Sequence, residues 1–228
     1  TMPALTEANV QDLVDRDGLL INLISGDDIT RKAVRWLRKH ARGMIYLDLH
    51  SRTLGIDDAG LRFRKCPDDW QEWIELVDFV QLNEDEAACL MDIPRERCSL
   101  ETYQEFLSTL FTEFDLKGVH ITLGERGTLS GFRQRNGEVS TRHIPPAIDS
   151  KDVVDVIGCG DVFGATFFLS FLRNGDFFSA VEYANTFAGR NATVLGSINE
   201  DAFRTRIETY ATDENTRSRN RRERSVGL

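Results

Sequence analysis

The stretch VDVIGCGDVFGATFF, residues 154–168, sets two carboxylates, Asp155 and Asp161, around Gly158 and Gly160, directly ahead of an apolar pattern with helical spacing. A helix N-terminus leaves backbone N–H groups unpaired and carries about half a unit of positive charge, so it is an anion site. Glycines let that backbone approach a ligand with no Cβ in the way. Gly158, Cys159 and Gly160 fit this role. Asp161 would then fall in the first helical turn, where it could accept a proton from a hydroxyl attacking a bound phosphate. Repulsion between Asp161 and the phosphate would be offset by the helix end and a divalent metal. The same residues allow a plainer reading, because Asp in a first turn is a favoured dipole partner and Gly-x-Gly is a common tight turn. Two other phosphate motifs are excluded. No Gly-Lys-Ser or Gly-Lys-Thr occurs, and Phe163 stands where a dinucleotide fingerprint needs its third glycine.

The elements around this stretch alternate. Apolar runs short enough for buried strands lie at Leu19–Ile24, Met44–Leu49, Phe79–Leu82 and Val119–Leu123. Between them, Ile29–Ala41, Asp69–Val77, Glu84–Met91 and Leu100–Phe114 place apolar residues at three- and four-residue steps. That alternation predicts an α/β fold, a mostly parallel sheet with helices on both faces. Two antiparallel strands follow, punctuated by Gly127 and Asn136–Gly137. The last third reads as helices over Gly160–Arg173, Phe177–Val194 and Glu200–Thr212, with Asn174–Gly175 as a stop and Asp176 as an N-cap.

Composition bounds the function classes. The 228 residues are 41% hydrophobic and 29% charged, as expected of a soluble globular chain, and no apolar run approaches the ~20 residues that span a bilayer. With no signal-peptide pattern at the start, a cytoplasmic location is expected. A net charge of −9 argues against nucleic acid as the main partner. Residues 213–228 differ from the rest: five arginines follow residue 216 with almost no apolar residues, so this tail is expected to be disordered. Four cysteines and four histidines have no metal-ligand spacing.

Four motifs together resemble a family. DVVDVIGCGDVFGATF is similar to the C-terminal signature of the PfkB/ribokinase sugar kinases, Asp-x-x-Gly-x-Gly-Asp ahead of a helix. LNEDEA resembles the family's Asn-x-x-Glu motif through Asn83 and Glu86. TLGERG resembles its nucleotide loop through Thr122, Gly124 and Gly127. YAN places Asn185 where the family often has an Asn beside adenine. Each also has a reading that needs no ligand: Asn83 and Glu86 have capping-box spacing, TLGERG could end a strand and open a hairpin, and Asn185 lies between small residues on a helix.

The resemblance implies a ribokinase-like three-layer α/β/α domain over residues 1–212 and ATP-dependent phosphorylation of a hydroxyl on a sugar or sugar-like molecule. By it, Asp161 is the catalytic base and the amides from Gly158 to Asp161 form the anion hole. Asn83 and Glu86 serve the Mg2+ and phosphate network, with Glu86 acting indirectly. Asp155 and the Ile157 carbonyl map to a loop that can hold a monovalent cation such as K+, its other side near Thr193 to Gly196. Arg190 and Asn191 depart from the small apolar residues usual there. LDLHSRTLG resembles the family's Asp-x-Asn-x-Arg segment through Asp48 and Arg52, with His50 replacing Asn; these read as surface and strand-end residues. The chain resembles the latter two thirds of a family member, with the first strands, the sugar-contacting glycine pair and most of the lid expected to be missing. Family dimers often join through the lid, so a homodimer is allowed. The competing expectation is a non-catalytic nucleotide- or partner-binding remnant of such a kinase.

Overall fold

The computed structural model describes residues 3–196; the helix expected over 200–212 and the tail at 213–228 lie outside the described residues. Along the chain come β1 (Gly18–Asn22), α1 (Arg31–His40), β2 (Met44–Asp48), β3 (Leu54–Ile56) and β4 (Arg62–Arg64). Next are α2 (Trp70–Ile74), β5 (Phe79–Asn83), α3 (Glu84–Met91), α4 (Leu100–Glu113), β6 (Gly118–Thr122), β7 (Thr128–Arg133) and β8 (Val139–Ile144). Two long helices, α5 (Cys159–Asn174) and α6 (Phe177–Ala192), complete the described part.

Six strands form one sheet in the order β1-β2-β5-β6-β7-β8. The first four are parallel and β7 and β8 add an antiparallel edge. Alternation along each strand divides the side chains between two cores. Ile45, Leu47, Val80, Leu82, Val119 and Ile121 face one way, against α1 to α4. Tyr46 and Phe79 face the other way and meet Phe163, Phe167, Phe168 and Phe171 of α5, with Phe177, Val181 and Ala184 of α6. Because the parallel strands advance steadily in one direction, right-handed crossovers put α1, α2, α3 and α4 on a single face. The chain reaches the other face only after the β7–β8 hairpin. The result is the three-layer α/β/α sandwich that the sequence predicts.

Local chemistry fixes the helix ends. Thr30 caps α1 by accepting from the Ala33 N–H (3.2 Å), and Ser99 with Thr102 forms a reciprocal box on α4. Gly175, left-handed at φ 70°, stops α5, and Asp176 caps α6 through the Ser179 N–H (3.1 Å), both where the sequence predicts them. The small β3–β4 ladder is a feature that sequence reasoning missed. It turns at Asp57, whose Oδ1 accepts from the N–H groups of Ala59 (3.0 Å) and Leu61 (2.8 Å). Its strands are three residues long and β4 is exposed throughout, so no apolar period marks them.

Candidate active site

The parallel strands begin apolar and end polar. Asn22 closes β1, Asp48 closes β2, Gln81 and Asn83 close β5, and Thr122 closes β6; in register, Asn22 stands beside Asp48, Asp48 beside Gln81 and Asn83 beside Thr122. Open α/β sheets bind ligands at this carboxyl edge. The first turn of α5 arrives there. Gly158, its N-cap, is left-handed at φ 76°, a conformation that keeps the backbone bare at the helix mouth. Asp161 lies in that turn and is exposed. Asn22 Nδ2 donates to Asp161 Oδ1 at 2.5 Å, while Oδ2 faces Gly158.

A buried chain of amide and hydroxyl contacts ties this turn to the sheet. Tyr46 donates its hydroxyl to Gln81 Oε1 (2.6 Å). Gln81 Nε2 donates in turn to Asp48 Oδ2 (2.9 Å) and to the Gly160 carbonyl (3.0 Å). Neither Asn22 nor Gln81 was singled out from the sequence. Their one signal is a lone polar residue near the end of an apolar run, in GLLINLI and FVQLN.

Asp48 corrects an expectation. It is a strand-end residue but not a surface one, being 6% exposed beneath α5. Arg52 is likewise drawn in, pairing with Asp69 (2.9 Å) and Asp27 (2.8 Å) and stacking over Trp73. Burial, and then the charge of Asp161, pushes the Asp48 carboxyl up to about 7. Asn83 and Glu86 form the full capping box: Glu86 N–H donates to Asn83 Oδ1 (2.8 Å), and Glu86 accepts from the Asn83 N–H and side-chain amide at 2.8 Å each. Burial, with Asp48 next, pushes Glu86 up to about 8.

These two carboxyls make stability depend on pH with a defined sign. Above the ordinary carboxylate range the folded state holds protons that the unfolded chain has lost, so stability falls as pH rises towards 7 and 8. His120, buried in the aromatic core and pushed down to about 3 by burial, acts oppositely, but only below about pH 6.5. Between about pH 6.5 and 8 the chain is therefore expected to lose roughly 2 kcal/mol, lowering its melting temperature by several degrees. A melting temperature that rises across this window contradicts the assignment.

A cavity of about 600 Å3 opens beside the turn. Cys159 and Gly160 line it from α5, Thr122 from the end of β6, Gly124 and Gly127 from the loop after it, and Asn185 from α6, so the structure brings these predicted residues together. Asn185 also ties the wall, accepting from Thr128 Oγ1 (3.3 Å) and donating to the Pro145 carbonyl (2.7 Å). Apolar walls come from Pro146, Ile148, Val153, Val156 and Phe163. At the rim Glu84 accepts from both Arg95 and Arg126, the latter at 2.6 Å, a cluster that sequence reasoning missed. Among the described residues, no three His, Cys, Asp or Glu side chains converge into a metal cage.

The predicted cation loop is closed on itself. Asp155 accepts from the N–H groups of Ile157 (3.0 Å) and Gly196 (2.9 Å), which hold its carboxyl below the usual range. Asn191, 2% exposed, donates to the Ile157 carbonyl at 2.9 Å.

A sheet of this order, with a glycine-capped helix bringing a carboxylate to its carboxyl edge, has the fold of the sugar and nucleoside kinases. Among solved structures, ribokinase from Thermotoga maritima is similar at 20% identity and TM-score 0.59, over 84% of this chain and 56% of that one. Adenosine kinase from Sinorhizobium meliloti is similar at 19% identity and TM-score 0.64, over 90% and 58%. Ribokinase from Arabidopsis thaliana, complexed with ribose and ATP, is similar at 18% identity and TM-score 0.62, over 86% and 56%. The chain thus spans a little over half the length of these structures. Among curated proteins, none matches. Residues 54–202 match the family model for pfkB family carbohydrate kinases, and the chain belongs to that family. Among the described residues, no helix is long and apolar enough to cross a membrane.

Proposed function

We propose that the chain carries the phosphoryl-transfer centre of an ATP- and Mg2+-dependent kinase acting on a hydroxyl of a sugar or sugar-like small molecule. The observation that carries this reading is the joint position of the half-buried Gly158–Gly160 turn at a helix N-terminus, with Asp161 exposed beside it, and the 600 Å3 cavity next to it. A nucleoside fits between the apolar walls and the Thr122–Gly127 loop, with Asn185 shaping the wall. Its terminal phosphate meets the amides of Gly158, Gly160 and Asp161, and that of Cys159 in exchange for its 3.2 Å bond to the Val156 carbonyl, and these donate to the oxygens where charge builds. Asp161 takes the proton of the acceptor hydroxyl; that oxygen bonds to the γ-phosphorus as the bond to ADP breaks. Asn22 occupies one carboxylate oxygen of Asp161 and leaves the other for the hydroxyl.

The residues present suit a divalent ion held from a distance. Mg2+ keeps several waters and binds through substrate phosphates and one or two carboxylates. Both Glu86 oxygens are engaged by Asn83 and Glu86 is buried, so its part in holding the ion would be indirect, through Asn83. When bound, the ion neutralises charge on the β- and γ-phosphates.

One observation favours nucleotide binding without transfer: next to Asn22 the surface carries exposed Leu20 and Ile24, rather than groups that would hold an alcohol. Calorimetry with Mg·ATP, joined to a transfer assay over monosaccharides and nucleosides, separates the readings. Binding with transfer is the expected result. Binding with no transfer to any acceptor supports the second reading, and no binding removes both.

A further inference from the structure

Asn191 lies where the family's cation loop comes together, and its contacts are those of a replacement. Its amide splits two hydrogens across Gly158: one goes to the Ile157 carbonyl (2.9 Å), just before the helix cap, and one to Cys159 Sγ (3.4 Å), just after it. A Cβ built on Gly158 would lie 3.8 Å from the same nitrogen, so Asn191 packs against the turn itself. The Asp155 carboxylate and the Ala192 carbonyl are also engaged. Both Asp155 oxygens accept main-chain N–H groups, one from Ile157 and one, across the loop, from Gly196. The Val154 and Asp155 N–H groups both donate to the Ala192 carbonyl, at 2.7 and 3.0 Å, so the two sides are already stitched together.

These residues do not suit a monovalent cation. Such an ion needs several oxygen ligands with free lone pairs, whereas the Ile157 carbonyl meets the positive end of an N–H dipole, which repels a cation approaching along the same path. A buried amide gives the carbonyl a fixed positive partner with no dependence on salt.

We infer that Asn191 is a positioning residue that takes the place of a monovalent cation, fixing the Ile157–Gly158 peptide and making the phosphate-binding turn indifferent to K+. This rests on the reading of that turn as the phosphate site. It is tested by the dissociation constant for Mg·ATP in tetramethylammonium chloride and in potassium chloride at equal ionic strength. The unaltered chain is expected to bind equally in both salts, within about twofold. Asn191→Ala, which frees the carbonyl, is expected to bind about tenfold more weakly without K+ and to recover with it. Asn191→Asp, of nearly the same volume, turns an oxygen towards the carbonyl and is expected to show the same rescue.

Tightening of the unaltered chain by K+ beyond about fivefold overturns the inference. So do variants that bind normally without K+, or a loss that K+ does not restore, since packing alone then explains Asn191. If the unaltered chain binds no nucleotide in either salt, the kinase reading fails, and hydrogen exchange of the Gly158–Asp161 amides decides the rest. K+ should leave that exchange unchanged in the parent and slow it in both variants. Slowing in the parent, or none in the variants, overturns the inference.

Discussion

Asp161→Asn is expected to lower phosphoryl transfer by about 10²- to 10⁴-fold while the dissociation constant for Mg·ATP stays within about threefold. The substitution keeps the shape of the side chain and an oxygen that can still accept from Asn22 Nδ2. It removes only the capacity to take a proton. The phosphate contacts assigned to this turn are backbone amides, which the change leaves in place, so donor affinity and turnover should separate. Steady-state turnover paired with calorimetric titration reads both. Turnover equal to that of the parent chain would remove Asp161 from the reaction. Parallel losses in affinity and turnover would mark it as a structural residue of the turn.

Gly127→Ala is expected to cost about 2–4 kcal/mol in urea unfolding and to weaken nucleotide binding at least tenfold. Gly127 has a positive φ of 86° with ψ −136°, and a Cβ there would press into the Ile144 carbonyl oxygen and the backbone of Pro145 and Pro146. Pro145 is where Asn185 anchors, so displacing this seam moves the wall of the cavity. Gly137→Ala supplies the control. Gly137 has the same backbone sign, φ 87°, but a Cβ there would meet nothing within 4 Å, so only the conformational term of about 1 kcal/mol remains. Equal costs at the two positions would mean that the contact with the β8–Pro146 segment contributes nothing.

The sheet and its helices were legible because their signals are local. GLLINLI, MIYLDL and FVQLN are apolar runs of strand length, the helices between them carry three- and four-residue apolar steps, and Asp176 marks the cap of α6. The glycine-capped turn was legible for the same reason, as four consecutive residues make it. What escaped depends on register. Asn22, Asp48 and Gln81 come from three strands, and only their pairing shows that they converge beneath the first turn of α5. Asp48 read as a surface residue because a polar residue at a strand end usually is one; here α5 covers it. Asn191 was visible as a departure from the family pattern, but its consequence depends on a 2.9 Å contact with a carbonyl 34 residues earlier.

The amide signals of Gly158, Cys159, Gly160 and Asp161 in a nuclear magnetic resonance titration report most directly on whether this helix mouth holds the phosphate that is transferred. Mg·ATP should move all four strongly, and Mg·ADP, which lacks the γ-phosphate, should move them much less while still shifting Thr122, Gly124 and Gly127. If ATP binds and these four signals stay where they were, or respond identically to ADP, the phosphate lies elsewhere and the assignment of Asp161 falls with it.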